Sequence, residues 1–190
     1  MRVIAGVYRS RMLSAPRGMK TRPTSDRLRE TLFNVIAPRI EGARFVDLYA
    51  GSGAVGIEAL SRGARFVWFA ESAQSAVKTI RENLSALKIS EGFAVESRSA
   101  AALLEELAKR GTSVDLIVLD PPYEADAEYA RTLEFLGSAR GQTLLADDAR
   151  VIAEHRNKTD LAERYGGLER VRVLKQGDAA LSFYAVKPAG

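Results

Sequence analysis

Asp120-Pro121-Pro122-Tyr123 follows directly on the apolar run 114–119 (VDLIVL), and this is the first place in the chain where residue types and order suggest chemistry. Asp120 and the Pro121 carbonyl offer two hydrogen-bond acceptors side by side, enough to hold both hydrogens of one amine. The proline pair fixes the backbone where a reacting group must be held still. Tyr123 offers a flat face on which an extruded base can stack. The lone pair of an exocyclic amine on a nucleobase is delocalised into the ring and is a poor nucleophile. Two acceptors gripping its hydrogens draw the nitrogen toward a tetrahedral form that can attack an electrophilic methyl in line, a task of positioning and electrostatics. A proline-rich turn closing a core strand would explain the prolines but gives no reason for the acid and the tyrosine.

The second constellation is Asp47-Leu-Tyr49-Ala-Gly51-Ser52-Gly53-Ala-Val-Gly56, with Glu71 twenty residues beyond Gly51. Glycines where a strand gives way to a helix let the backbone approach a ligand and leave helix-start amides free to bind it. A carboxylate at the end of the next strand, Glu71, can accept hydrogen bonds from ribose hydroxyls. So far a dinucleotide fits as well. Asp47 distinguishes the two: a carboxylate there repels a pyrophosphate and favours the ammonium and sulfonium groups of S-adenosylmethionine (SAM). The bland alternative is a tight turn with a helix-capping Glu71.

The elements that must position these residues follow from periodicity. Residues 45–50, 65–70, 93–97, 114–119 and 150–154 read as strands, alternating with helices near 55–62, 72–88, 99–110 and 126–139. The unbroken apolar run at 114–119 fits a strand buried on both faces, as in a parallel sheet. Residues 168–174 and 179–186 flank Gln176-Gly177-Asp178 and read as a closing antiparallel hairpin. The expected fold is α/β, a Rossmann-like, mostly parallel seven-stranded sheet with that C-terminal hairpin. Ahead of it, residues 2–8 and 11–15 read as a hairpin around Arg9-Ser10. A helix follows with Thr24, Ser25 or Asp26 as N-cap and Pro38 as its stop. Residues 1–39 are therefore expected as a basic extension, and 40–190 as the catalytic domain.

Charge supports that division. Residues 1–39 carry nine Lys/Arg against two acids, a balance of +7, which leaves −3 for the remaining 151 residues of a chain whose net charge is +4. A basic arm of this kind suits a polyanionic partner, with Arg9, Arg11, Lys20, Arg22 and Arg27 as the phosphate-contact candidates; a merely solvated basic surface is the alternative. Hydrophobic residues make up 46% and charged residues 27%, an ordinary globular composition. No run approaches a membrane span, the N-terminus lacks a signal-peptide pattern, and cysteine is absent, so a cytoplasmic protein without disulfides is expected. His155 is the single histidine and has no partners at metal-ligand spacing, so it reads as structural and no metal is expected.

At this point the sequence resembles a known family. Asp47 to Gly56 resembles the SAM-binding motif of Rossmann-like methyltransferases, which adds Tyr49 and Ser52 to the cofactor candidates. Asp120 to Tyr123 is similar to the catalytic tetrad of the amine-methylating ones. The arm narrows the match: Arg2-Val-Ile-Ala-Gly6, Arg9-Ser-Arg11, Thr21-Arg-Pro-Thr24 and Arg29-Glu-Thr-Leu-Phe-Asn34 resemble the RsmD-type enzymes. The resemblance implies methyl transfer from SAM, giving S-adenosylhomocysteine, to the exocyclic N2 amine of a guanine in 16S ribosomal RNA. It further implies ribosomal RNA or the small ribosomal subunit as partner, and a monomer is expected. That family carries an aspartate after the third strand where this chain has Ser97-Arg-Ser99-Ala100, leaving Ser99 as the adenine-contact candidate. Four other readings stand beside this one: a DNA adenine-N6 methyltransferase, a protein-glutamine methyltransferase, an NAD-dependent oxidoreductase, and a non-catalytic RNA-binding assembly factor. The short chain, the basic arm, Asp47 and the intact tetrad respectively argue against them.

Overall fold

The computed structural model describes residues 1–16, 25–122 and 126–187, which fall into two compact units, residues 1–99 and 100–190. In the first unit, helix α1 (Asp26–Ile40) starts at Ser25, whose hydroxyl accepts from the Leu28 amide, and buries Leu28, Leu32, Phe33, Ile36 and Ile40. Strands and helices then alternate: β1 (Arg44–Leu48), α2 (Ala54–Ser61), β2 (Phe66–Ala70), α3 (Gln74–Ala86) and β3 (Phe93–Glu96). The strands are parallel in the order β3-β2-β1, with Asp47 opposite Phe69 and Phe69 opposite Val95. Parallel neighbours need helical crossovers, which is why the apolar stripe Ala76, Val77, Ile80, Leu84 of α3 is fully covered.

The second unit contains α4 (Ala100–Lys109), β4 (Val114–Leu119), α5 (Asp126–Gly137), α6 (Ala139–Gln142), β5 (Leu145–Arg156), β6 (Arg164–Tyr165), β7 (Leu168–Gln176) and β8 (Ala179–Val186). Here the order is β4-β5-β8-β7-β6: β4 and β5 are parallel, and the remaining pairs are antiparallel. Leu116 to Leu119 are buried on both faces of the sheet, as the unbroken apolar run requires. His155 is buried with its Nε2 2.9 Å from Ser182 Oγ, and burial lowers its pKa.

Three expectations are corrected. The hairpin of residues 2–8 and 11–15 shrinks to a bridge between Arg2 and Met12, with Val3 N donating to Arg11 O and Leu13 N to Met1 O. The amides beyond it are claimed by α2: Ile4 and Ala5 donate to the Glu58 carboxylate, Val7 to the Ser61 carbonyl and Tyr8 to the Ser61 hydroxyl. Pro38 does not stop α1, which runs to Ile40; a proline near the end of a helix removes just one hydrogen bond of the final turn. The described residues hold eight strands instead of seven, the extra one being the two-residue β6, too short to leave a periodic signal. Among the described residues no helix is long and apolar enough to cross a membrane.

Candidate active site

The glycine loop begins at the carboxyl end of β1. Tyr49 turns the chain at φ +62°, a left-handed conformation that costs a bulky residue about 1–2 kcal/mol. Gly51, at φ +54°, then sends its amide to Glu71 Oε2 at 2.9 Å. The loop closes where Gly53 N donates to Ala50 O at 2.7 Å and α2 begins, its first turn without a side-chain cap. Around the position a Gly51 Cβ would take, the nearest other atom is the Tyr49 carbonyl oxygen 4.0 Å away, so this backbone is open to a ligand. Gly56 serves a different end. A Cβ there would lie 2.2 Å from the Phe69 ring, so its missing side chain is what lets α2 lie against β2.

Two buried carboxylates hold the loop from beneath. Asp47 Oδ2 accepts from the Gly56 amide at 2.9 Å and thereby ties β1 to the first turn of α2. Burial pushes its pKa up to about 7; the Gly56 hydrogen bond lowers it, and the nearby Glu71 charge adds to the rise. Glu71 uses one oxygen for Gly51 N and the other for Ala73 N at 2.8 Å. Each of its oxygens keeps a second lone pair for a hydroxyl donor. Ser52, half-buried, lies on the same loop, and Ser99 is exposed in the segment after β3.

Sequence reading missed the residue that joins this loop to the N-terminal segment. Asn83, on α3 and 3% exposed, accepts from Ser14 N at 2.8 Å and donates to Ser14 O at 3.0 Å and to Ser52 O at 2.9 Å. It stands three residues after Ile80 on the buried stripe, and an amide at an apolar position was the available signal. Glu58 was missed for a similar reason: a lone acid in the apolar helix AVGIEALS, fully buried, it takes Arg62 Nε at 2.7 Å besides the Ile4 and Ala5 amides. The buried Arg29 approaches it to 3.9 Å.

In the second unit, Asp120 is half-buried at the carboxyl end of β4, Pro121 is buried and Pro122 exposed. Tyr129 on α5 donates to the Glu154 carbonyl at 2.8 Å and fixes that helix against β5. Tyr123 lies outside the described residues, as do Lys20 and Arg22. Arg9 and Arg11 are exposed on the N-terminal segment, and Arg27 is exposed in the first turn of α1.

A glycine loop between a parallel strand and a helix, braced by acids below and at the end of the next strand, defines the Rossmann-like methyltransferase class. Comparison with known proteins agrees. Residues 1–185 match the family described as Conserved hypothetical protein 95, the RsmD family, and the chain belongs to it. The Bacillus subtilis protein YlbH, named for rRNA methyltransferase activity, is 36% identical over 97% of this chain and 98% of its own length. The Ribosomal RNA small subunit methyltransferase D of Escherichia coli is 40% identical over 65% of this chain and 60% of its own. A solved structure from Escherichia coli, described as methyltransferase yhhF, superposes with a TM-score of 0.84 at 32% identity, covering 100% of this chain and 99% of that one.

Proposed function

We propose that this protein transfers a methyl group from SAM to the exocyclic N2 amine of a guanine in small-subunit ribosomal RNA, releasing S-adenosylhomocysteine. The residues of the first unit fit the donor. The open backbone at Gly51 and the uncapped start of α2 would take the amino-acid end, the spare lone pairs of Glu71 would take the ribose hydroxyls, and Tyr49, Ser52 and Gly53 would shape the wall. Asp47, held near neutrality by burial, gains a reason to ionise when a cation binds beside it. Ser99 would stand on the adenine side. When bound, the donor supplies an electrophilic methyl on a sulfonium.

The rest is done by the chain's own groups. Asp120 and the Pro121 carbonyl accept the two hydrogens of the guanine amine and hold its lone pair out of conjugation, while Tyr123 stacks on the base. The nitrogen would take the methyl as the carbon–sulfur bond breaks, the bonding pair remaining on the sulfur of S-adenosylhomocysteine, and the proton the nitrogen sheds would pass to the Asp120 carboxylate that already accepts it. Pro121 and Pro122 keep the clamp rigid, so little reorganisation is needed at the moment of reaction. Residues 1–39, through Arg9, Arg11, Lys20, Arg22 and Arg27, would grip the RNA backbone.

The placement of Asp120 and Pro121 at the carboxyl end of the buried strand β4 carries this reading, with support from the names of the relatives. The test is transfer of labelled methyl from SAM to unmodified small ribosomal subunits, naked ribosomal RNA and duplex DNA. Label recovered as N2-methylguanine from a ribosomal acceptor, reduced by roughly 10²-fold or more in Asp120→Ala, is the expected result. Transfer to DNA alone, or full activity in Asp120→Ala, overturns the proposal.

A further inference from the structure

The chain leaves the carboxyl end of β5 at Arg156 and loops through residues 157–163 to β6, bounding a cleft of about 520 Å³ wholly within the second unit. Its walls include Tyr129, Arg156, Lys158, Thr159, Asp160 and Tyr165. Arg156 and Lys158 are exposed, while Tyr165 is half-buried with its ring edge-on to Tyr184 at 5.8 Å. Neither the function proposed above nor the basic N-terminal arm accounts for this cleft.

Its position in the fold is what gives it meaning. Leu119 pairs with Ala153 in the parallel β4–β5 ladder, so Asp120 stands level with Glu154. Arg156 is then two residues farther along, roughly 7 Å at a strand's rise. Open α/β sheets bind their ligands beyond the carboxyl ends of the strands, and this cleft occupies that edge beside the amine clamp. The loop is also fixed in advance. Tyr184 Oη donates to Ala162 O at 2.8 Å, Ala162 N to Tyr165 Oη at 3.1 Å, and Arg170 Nη1 to Leu161 O at 2.7 Å. Asn157 N donates to Asp178 O at 2.7 Å and Thr159 N to Arg156 O at 2.9 Å. Two cations and a hydroxyl are thus presented on a backbone tied down at five points, so little chain entropy is lost when they engage a ligand.

We infer that this cleft is a second nucleic-acid contact, taking the phosphodiester of a nucleotide next to the acceptor base. This rests on the reading of the chain as a ribosomal RNA methyltransferase. Arg156 and Lys158 supply the charge that one phosphate demands, and the Thr159 hydroxyl is the neutral donor beside them. Asp160 on the same rim leaves the charged wall residues at +1, enough for a single phosphate and unfavourable to a second. The half-buried Tyr165 gives the sugar an apolar wall.

The experiment uses the full chain and unmodified small ribosomal subunits, with affinity measured from 50 to 200 mM salt. The variants are Arg156→Ala with Lys158→Ala, and separately Asp160→Ala. The double variant is expected to bind roughly tenfold more weakly. Its plot of log affinity against log salt should be shallower by about 0.7, the value for one single-strand phosphate contact. Asp160→Ala should shift affinity the other way, and all forms should keep their SAM affinity and melting midpoint. An unchanged slope and affinity in the double variant overturns the inference while wild-type methylation still upholds the function, and so does a loss matched by falling SAM affinity or stability. A wild type that neither binds nor methylates the subunit overturns both.

Discussion

Replacing Asp47 with Asn isolates the electrostatics of the glycine loop. Asn keeps an oxygen that can accept from Gly56 N, so the tie between β1 and α2 survives. What it removes is the ionisable group whose pKa burial raises from 3.8 to about 7. A folded-state pKa above the unfolded one means that the folded chain holds the proton more tightly. The stability is therefore full below pH 4 and is lost as pH rises toward and through 7. A shift of about 3 units at 1.36 kcal/mol each amounts to about 4 kcal/mol in all, of which about 2–3 kcal/mol falls between pH 5 and pH 8. Urea unfolding of both proteins at those two pH values reads this difference directly. Wild type should lose about 2–3 kcal/mol more than Asp47→Asn on going from pH 5 to pH 8, a midpoint change on the order of 1 M urea. A difference below about 1 kcal/mol would refute the burial argument. The same carboxylate gives a ligand signature. If a cation beside Asp47 ionises it, SAM affinity rises with pH by up to about tenfold per unit below pH 7 and levels off above, whereas Asp47→Asn is flat.

Three further outcomes are expected. Asn83→Ala removes three hydrogen bonds from a buried site and should cost about 2–3 kcal/mol in calorimetry, while trypsin cuts at Arg9 and Arg11 faster because Ser14 is no longer held. Gly56→Ala drives a methyl into the Phe69 ring and should cost about 1–3 kcal/mol; adding Phe69→Leu recovers part of the midpoint if the clash is the cause. Neutralising Arg9 and Arg11 together should weaken ribosomal RNA binding and lower its salt slope by about 1.4, with SAM affinity unchanged in titration calorimetry.

The legible parts of this fold are those specified locally. The run VDLIVL marks β4 at both ends because a strand buried on two faces needs no alternation, and Gln176-Gly177-Asp178 places the turn between β7 and β8. The glycine turn is legible because its conformations are demanded by the residues themselves. The rest depends on partners far along the chain. β5 starts at Leu145, well before the apolar stretch at 151–153, since its first half carries Asp147 and Asp148 at exposed positions. The short N-terminal pairing is set by Glu58 and Ser61, more than fifty residues away, and no periodicity within residues 2–15 records them. Asn83 and Glu58 were visible as letters out of place on apolar faces, but their partners were not.

Glu58 also bears on how this chain is made. During synthesis from the N-terminus, Ile4 and Ala5 emerge more than fifty residues ahead of the carboxylate that will accept their amides. Until α2 has left the ribosome, those amides can be satisfied only by water, and the basic residues near them face a ribosome whose surface is rich in phosphate. The opening segment therefore cannot complete its folded hydrogen bonding before α2 has formed. Glu58 ends that delay, since Ile4 and Ala5 can settle only once α2 brings its carboxylate to them.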